Sequence, residues 1–264
     1  MALLLKPVPA SRGPRWIVDA FRLFVRRPQA ITSLFAVFLG LAQLVSLVPL
    51  LGGLVQMMAL PMLSLGFMVA SQSALLGGPV TPSQFIEPLR GDAGRRRSLL
   101  ALCLIYGLSA VAILWLCDTI SDGAMQRLMV LASQGEAKAD EVEALLAEGG
   151  VSLAGFSFFV LVVALSVPFW HAPALVHWGG QSAGQALFSS TLAVWRAKGA
   201  FLVYSLSWAA VFILFVVGAA LVFSVLGLHQ LVQWIALPAG LMFSTVFYVS
   251  LLFAFNDSFG GAEP

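Results

Sequence analysis

The sequence predicts an all-α polytopic membrane helix bundle with six transmembrane helices, and three observations predict it. Sixty per cent of the 264 residues are hydrophobic. Only 10% are charged, where a soluble domain carries about 25%. Six apolar stretches are each long enough to cross about 30 Å of hydrocarbon. A globule of this length has too little interior to hide so much apolar surface, which excludes a soluble enzyme. Disorder needs low hydrophobicity and high charge and is excluded as well. The chain is read as a single membrane domain over residues 1–264.

The elements follow in order. Residues 14–27 read as a helix lying in the membrane interface. Arg15, Asp19, Arg22 and Arg26 recur on one face, and Trp16, Ala20, Phe21 and Phe24 occupy the other. Such a charged-against-aromatic pattern suits a helix floating on lipid. Pro14 fits its first turn and Pro28 ends it. Arg15 and Asp19 stand at i, i+4 and are expected to pair. The spans are then Ala30–Leu50, Leu54–Leu76, Leu99–Leu116, Leu153–His177, Gly199–Leu226 and Leu231–Phe255. In the loop 77–98, Thr81 is placed to cap a short helix opened by Pro82. The loop 119–150 holds two short helical patterns, Ala124–Ala132 and Asp140–Ala147. Residues 182–197 form a second interfacial helix with Phe188, Leu192 and Trp195 along one side.

Charge sets the orientation. Twelve of the 14 basic residues fall in 1–29, 77–98 and 178–198. The loop 119–150 instead carries Asp122, Glu136, Asp140, Glu141, Glu143 and Glu148 against Arg127 and Lys138. The positive-inside rule places the basic loops, and with them both termini, in the cytoplasm. Arg15, Arg22, Arg26, Arg27 and Arg196 are the expected contacts to anionic lipid headgroups. Two readings of the acidic external loop stay open, a solvated hairpin and a surface for a membrane-protein partner. A net charge of +2 gives no footing for nucleic acid.

An internal repeat is written into the second and sixth spans. Leu54-Val55-Gln56-Met57-Met58-Ala59-Leu60-Pro61 matches Leu231-Val232-Gln233-Trp234-Ile235-Ala236-Leu237-Pro238 at six of eight positions. Residues 23–30 and 193–200 correspond more weakly. The unit is a surface helix, a span out, a tight turn and a span back. The repeat hairpins are 30–76 and 199–255, with 99–177 as a central hairpin bearing the insert. Repeats of one polarity are related by an axis along the membrane normal. Each proline frees the carbonyl four residues earlier, on Met57 and Trp234. Gln56 and Gln233 stand beside them, with amides able to serve that region or a neighbouring helix. Gln56, Pro61, Gln233 and Pro238 are therefore candidate ligand-binding residues in a pocket between the repeats.

Little else carries chemistry. No Asp, Glu, Lys or Arg falls within the six spans, which argues against a proton-coupled or charge-driven carrier. No phosphate-binding loop, nucleophile elbow or metalloprotease motif occurs. The fourth span ends in Pro168-Phe169-Trp170-His171-Ala172-Pro173, with His177-Trp178 beyond. Trp170, His171 and His177 join the candidate ligand residues. The two histidines stand six apart, where a metal pair would prefer i, i+4, so no metal and no cofactor is expected. His171 is read as satisfying a carbonyl freed by proline. Cys103 and Cys117 lie about 21 Å apart along one helix, well beyond disulfide reach.

Several motifs carry a resemblance. Trp16…Phe21-Arg22-Leu23-Phe24…Pro28 is followed by Pro79-Val80-Thr81-Pro82-Ser83-Gln84-Phe85…Leu89-Arg90. Pro168-Phe169-Trp170-His171-Ala172-Pro173-Ala174-Leu175 and Ala186-Leu187-Phe188-Ser189-Ser190…Ala193-Val194-Trp195-Arg196…Gly199-Ala200-Phe201-Leu202-Val203-Tyr204 complete the series. In this order they resemble an uncharacterised family of six-span inner-membrane proteins of proteobacteria. The resemblance covers most of the chain outside the acidic insert. Ala197 stands where the family usually has Asn, so a role resting on that polar residue does not carry over. The resemblance implies a bacterial inner-membrane location and no particular activity. The expected function is non-enzymatic, either as a scaffold or accessory component or by binding a lipid-like ligand. A permease for a neutral or amphiphilic solute, with its pocket between the repeats, is the alternative.

Overall fold

The computed structural model of the protein describes residues 3–48, 51–134, 139–147, 150–227 and 232–260. The described residues are helical almost throughout, with no strand among them. Six helical stretches are long and apolar enough to cross a membrane. The protein is an integral membrane protein.

Helix α1 (Arg12–Arg26) stops at Arg27, whose φ of −143° and ψ of 54° leave the helical region. Pro28 causes the break. It excludes Arg27 from helical geometry and then starts α2 (Pro28–Ser46), where its missing N–H is not needed. Helix α3 (Gly52–Leu75) carries Pro61 inside it. Two 3₁₀ turns follow, Pro82–Phe85 and Glu87–Arg90. The Thr81 N–H donates to Gln84 Oε1 at 3.0 Å, closing the first of them.

Helix α4 (Ala93–Ile120) is capped by Asp92, which accepts from the Arg95 N–H at 2.9 Å. That backbone hydrogen bond holds the Asp92 carboxyl below its ordinary pKa. The sequence places the third span at Leu99–Leu116, but the helix is longer. Arg95 to Arg97 lie in its first turns and Asp118 in its last. Helices α5 (Ala124–Gln134) and α6 (Ala139–Ala147) form the insert. The fourth span is broken into α7 (Val151–Phe169) and α8 (Ala172–Gly179). Then come α9 (Ala183–Arg196), α10 (Lys198–Val225) and α11 (Val232–Phe259).

The buried core lies toward one end of the bundle, where α1, α8 and α9 gather. Its main part joins Leu65 and Met68 of α3, Leu99 and Leu102 of α4, Leu175 of α8 and Phe255 of α11. A second part packs Leu23, Ile31, Leu34 and Phe67 against Val246 and Val249. The opposite halves of the spans turn large apolar side chains outward. This is what a bundle dissolved in lipid tolerates, because lipid tails are as apolar as leucine. Helix α10 goes furthest: 0% of its most apolar 18-residue stretch is buried. The two hairpins that the sequence suggests as repeats differ in packing. Helix α2 lies along α3, whereas α10 meets α11 only sparingly.

Helix α1 docks on α10 and α11. Trp16, Ile17, Ala20 and Leu23 are buried in protein, so the face expected to meet lipid meets the bundle instead. Gly13 permits the approach, since a Cβ there would collide with the Ala200 carbonyl oxygen and the Tyr204 backbone nitrogen. A latch holds the contact. Arg12 donates from Nε and Nη2 to the Asp257 carboxylate at 2.6 and 3.0 Å. Trp16 Nε1 donates to the same carboxylate at 2.7 Å. Hydrogen bonding to Asp257 raises the Arg12 pKa, against the opposing effect of burial. Nearby, the Lys6 N–H donates to the Ser258 carbonyl at 2.8 Å.

Candidate functional site

The site grows from the break between α7 and α8. Pro168 and Pro173 lack N–H groups and leave the carbonyls of Ala164 and Phe169 without their helical donors. Ser190 of α9 splints the junction. Its hydroxyl accepts from the His171 N–H at 3.0 Å and donates to the Val167 carbonyl at 3.1 Å. The bend sets the Trp170 ring against Phe201, Tyr204 and Phe247, with centroids 5.3, 5.9 and 6.0 Å away.

Two hollows meet at this ring. One, of about 190 Å³, is enclosed by α3, α4, α7 and α11, with Pro61, Ser64, Tyr106, Ser166 and Leu251 in its wall. The other, of about 650 Å³, is the open cleft where α10 stands away from α11, lined by Tyr204, Ser205, Trp208, Phe212, Phe243 and Ser244. Trp170, Phe247 and Tyr248 belong to both walls. Among the described residues lining them there is no Asp, Glu, Lys, Arg or His. The walls offer aromatic faces and a few hydroxyls. Neither the Trp170 nor the Trp208 Nε1 has a hydrogen-bond partner in the protein. The Tyr204 hydroxyl, bonded to Ser250 Oγ at 2.6 Å, approaches Trp208 without closing a bond to it.

A probable inner membrane protein of Burkholderia thailandensis is 30% identical to this chain over 259 residues, covering 97% of this chain and 94% of that one. The chain belongs to the same family of inner membrane proteins. No known family profile matches the chain, and no solved structure gives a significant match.

In this inner membrane protein the residues singled out from the sequence separate. Pro61 and Trp170 line the hollows. Gln56 does not: its Nε2 donates to the Ala42 carbonyl at 2.6 Å, tying α3 to α2. Pro238 lies exposed within α11. The side chain of Gln233 falls outside the described residues. Among the three of these residues with described side chains, Pro61 alone lines a hollow. His171 is fully buried against Phe201, Phe255 and Phe259, at centroid distances of 5.8, 5.8 and 5.5 Å. Neither of its ring nitrogens has a partner. The expectation that it repairs a proline-freed carbonyl is corrected, because its ring is enclosed by phenylalanines and neither nitrogen reaches a carbonyl. His177 stacks edge-on with Trp178 at 5.4 Å and lines neither hollow.

The arginines separate as well. Arg15, Arg22, Arg26 and Arg196 are exposed. Asp19 pairs with Arg22 at 3.4 Å rather than with Arg15. Arg27 is turned inward, donating to the carbonyls of Gly78 and Gly77 at 2.5 and 3.2 Å just past the end of α3. Sequence reading missed the walls of the larger cleft, although they are periodic. Tyr204, Trp208 and Phe212 recur every four residues on α10, and Phe243 and Phe247 do so on α11. It also missed Asp257, one acid just past the last apolar stretch.

Proposed function

We propose that this inner membrane protein is not an enzyme and that it binds a lipid-like ligand in the open cleft beside Trp170. The observation carrying this reading is the cleft itself. It is aromatic, uncharged among its described residues, and open where α10 leaves α11. An amphiphile entering sideways from the bilayer meets no desolvation barrier there, since both ligand and wall are already apolar. The protein would act as an accessory component that holds or presents this ligand.

The finer topology belongs to the same proposal. Both termini face the cytoplasm, a reading supported by the basic residues near the ends of α1, α4 and α9. Arg15, Arg22, Arg26 and Arg196, all exposed, contact anionic headgroups at that surface. Helix α9 turns Phe188 and Trp195 outward, 70% and 68% exposed, as an interfacial helix would. A distant repeat relates α1–α3 to α9–α11, supported by the shared helix order and by Pro61 and Pro238 inside equivalent helices. A permease is the second reading, favoured by the smaller hollow, which shares Trp170, Phe247 and Tyr248 with the cleft wall and lies against Pro61 and Tyr106.

Lipid extraction and native mass spectrometry of protein purified in mild detergent test the reading. Ligand is expected at about one per chain, and Ser244→Trp, which fills the cleft, is expected to abolish its retention without unfolding the protein. Bare protein, or retention that ignores Ser244→Trp, would overturn it. Uptake by proteoliposomes separates holding a ligand from moving it.

A further inference from the structure

We infer that α1 and the cleft hold one anionic phospholipid between them. Arg22 and Arg26 take its phosphate, and an acyl chain passes over Phe21 into the space between α10 and α11. The inference rests on the reading of the cleft as a lipid site and names the lipid it takes. Three observations carry it.

The first is continuity. A shallow hollow of about 430 Å³ on the outer face of α1 is lined by Val18, Phe21, Arg22, Val25 and Arg26. The Phe21 ring packs against Trp208 and Phe243, at centroid distances of 6.3 and 6.5 Å. Both of those rings line the cleft. Phe21 thus belongs to the wall of the outer hollow and touches the wall of the cleft, so one molecule can lie against both.

The second is the order of side chains around α1. At about 100° per residue, Val25, Val18, Arg22 and Arg26 lie about 40°, 60°, 100° and 140° round the helix from Phe21. Moving away from the cleft, the surface therefore runs from an aromatic ring through two exposed valines to two exposed arginines. That is the order of a phospholipid laid across the helix, with its chain on the cleft side and its phosphate on the far side.

The third is charge. The described lining of the cleft carries no formal charge, so it suits an acyl chain and leaves the phosphate to be held at the border. Arg22 meets Asp19 through Nη1 alone, at 3.4 Å, with 72% of its side chain exposed. The rest of its guanidinium is open to a phosphate oxygen. Arg26 has no ion-pair partner among the described residues. The planar fork of arginine matches phosphate oxygens. A zwitterionic lipid brings its own cation beside the phosphate and gains less from these two arginines than an anionic one.

The test uses the full chain in nanodiscs with two probes that carry the same photoreactive acyl chain, a phosphatidylglycerol and a phosphatidylcholine, at equal mole fraction. The phosphatidylglycerol is expected to label peptides of α10 and α11 at least about fivefold more, the worth of one arginine near an anionic lipid. Arg22→Gln/Arg26→Gln, both at exposed positions, is expected to bring the two probes level while phosphatidylcholine labelling stays as it was. Arg97→Gln, an exposed arginine of α4 outside both hollows, is expected to keep the preference. Equal labelling of the unaltered protein, a preference that survives Arg22→Gln/Arg26→Gln, or one lost equally in Arg97→Gln overturns the assignment of the headgroup and leaves the cleft as a lipid site. Labelling by neither probe within α10 and α11 overturns both.

Discussion

Asp257 is the residue whose loss should cost most for its size. It accepts two hydrogen bonds from Arg12 and one from Trp16. The Trp16 side chain is fully buried, while the ion pair is 30% exposed at Arg12 and 25% at Asp257. The two parts of the latch therefore differ in worth. Leaving the buried Trp16 N–H without an acceptor costs about 1–3 kcal/mol. An ion pair this open to solvent adds at most about 1 kcal/mol. Asp257→Ala should thus destabilise by about 1–4 kcal/mol. Asp257→Asn keeps an oxygen for Trp16 and loses only the charge, so about 1 kcal/mol is expected. Unfolding in detergent gives the stability, and hydrogen exchange over residues 12–26 reports whether α1 has left the bundle. In a double-mutant cycle, Arg12→Ala should add little on top of Asp257→Asn. Equal losses for Ala and Asn, or an Ala loss under about 0.5 kcal/mol, would refute the account of the latch.

Four further outcomes are expected. Ser190→Ala removes the splint between α7 and α8 and should cost about 1–3 kcal/mol, with hydrogen exchange rising at residues 167–172. Gly13→Ala drives a Cβ into the α10 backbone and should cost about 1–3 kcal/mol of overpacking, seen as loosening of α1. Gly107→Ala meets the Met58 side chain at Cγ and crowds the Met58 backbone nitrogen, and should also cost about 1–3 kcal/mol in the same assay. Gln56→Leu breaks the tie to Ala42 and should cost about 0.6 kcal/mol, at most about 1.7, measured by unfolding in detergent.

The helices were legible to within a few residues because each is set by a local signal. Apolar runs mark the spans, and Pro28, Thr81 and Pro82 mark their punctuation. The surface helices predicted at 14–27 and 182–197 are Arg12–Arg26 and Ala183–Arg196. The contents of the site were less legible, for three physical reasons. A buried helix face and a lipid-dissolved face are equally apolar, so the docking of Trp16 and Ala20 on α10 and α11 is invisible to periodicity. Prolines announce a break in a helix but not what splints it, and Ser190 is 19 residues from the His171 amide it serves. The repeated Gln and Pro drew attention to α3 and α11, while the cleft depends on how far α10 stands from α11, which no local signal records. The aromatic ladder Tyr204, Trp208, Phe212 was available to reading and is the mark that would have found it.

The latch between Arg12 and Asp257 also fixes an order of events. These residues are separated by 245 positions, about 10–50 s of synthesis at about 5–20 residues per second. Helix α1 is made first, yet its docking surface on α11 is made last. Until then Trp16 can meet only Phe201 and Tyr204 of α10, and its N–H has no carboxylate to bond. The final helix therefore completes the seat of α1 by bringing Asp257 to Arg12 and Trp16. A chain stalled or truncated before α11 would hold its first helix by α10 without the latch.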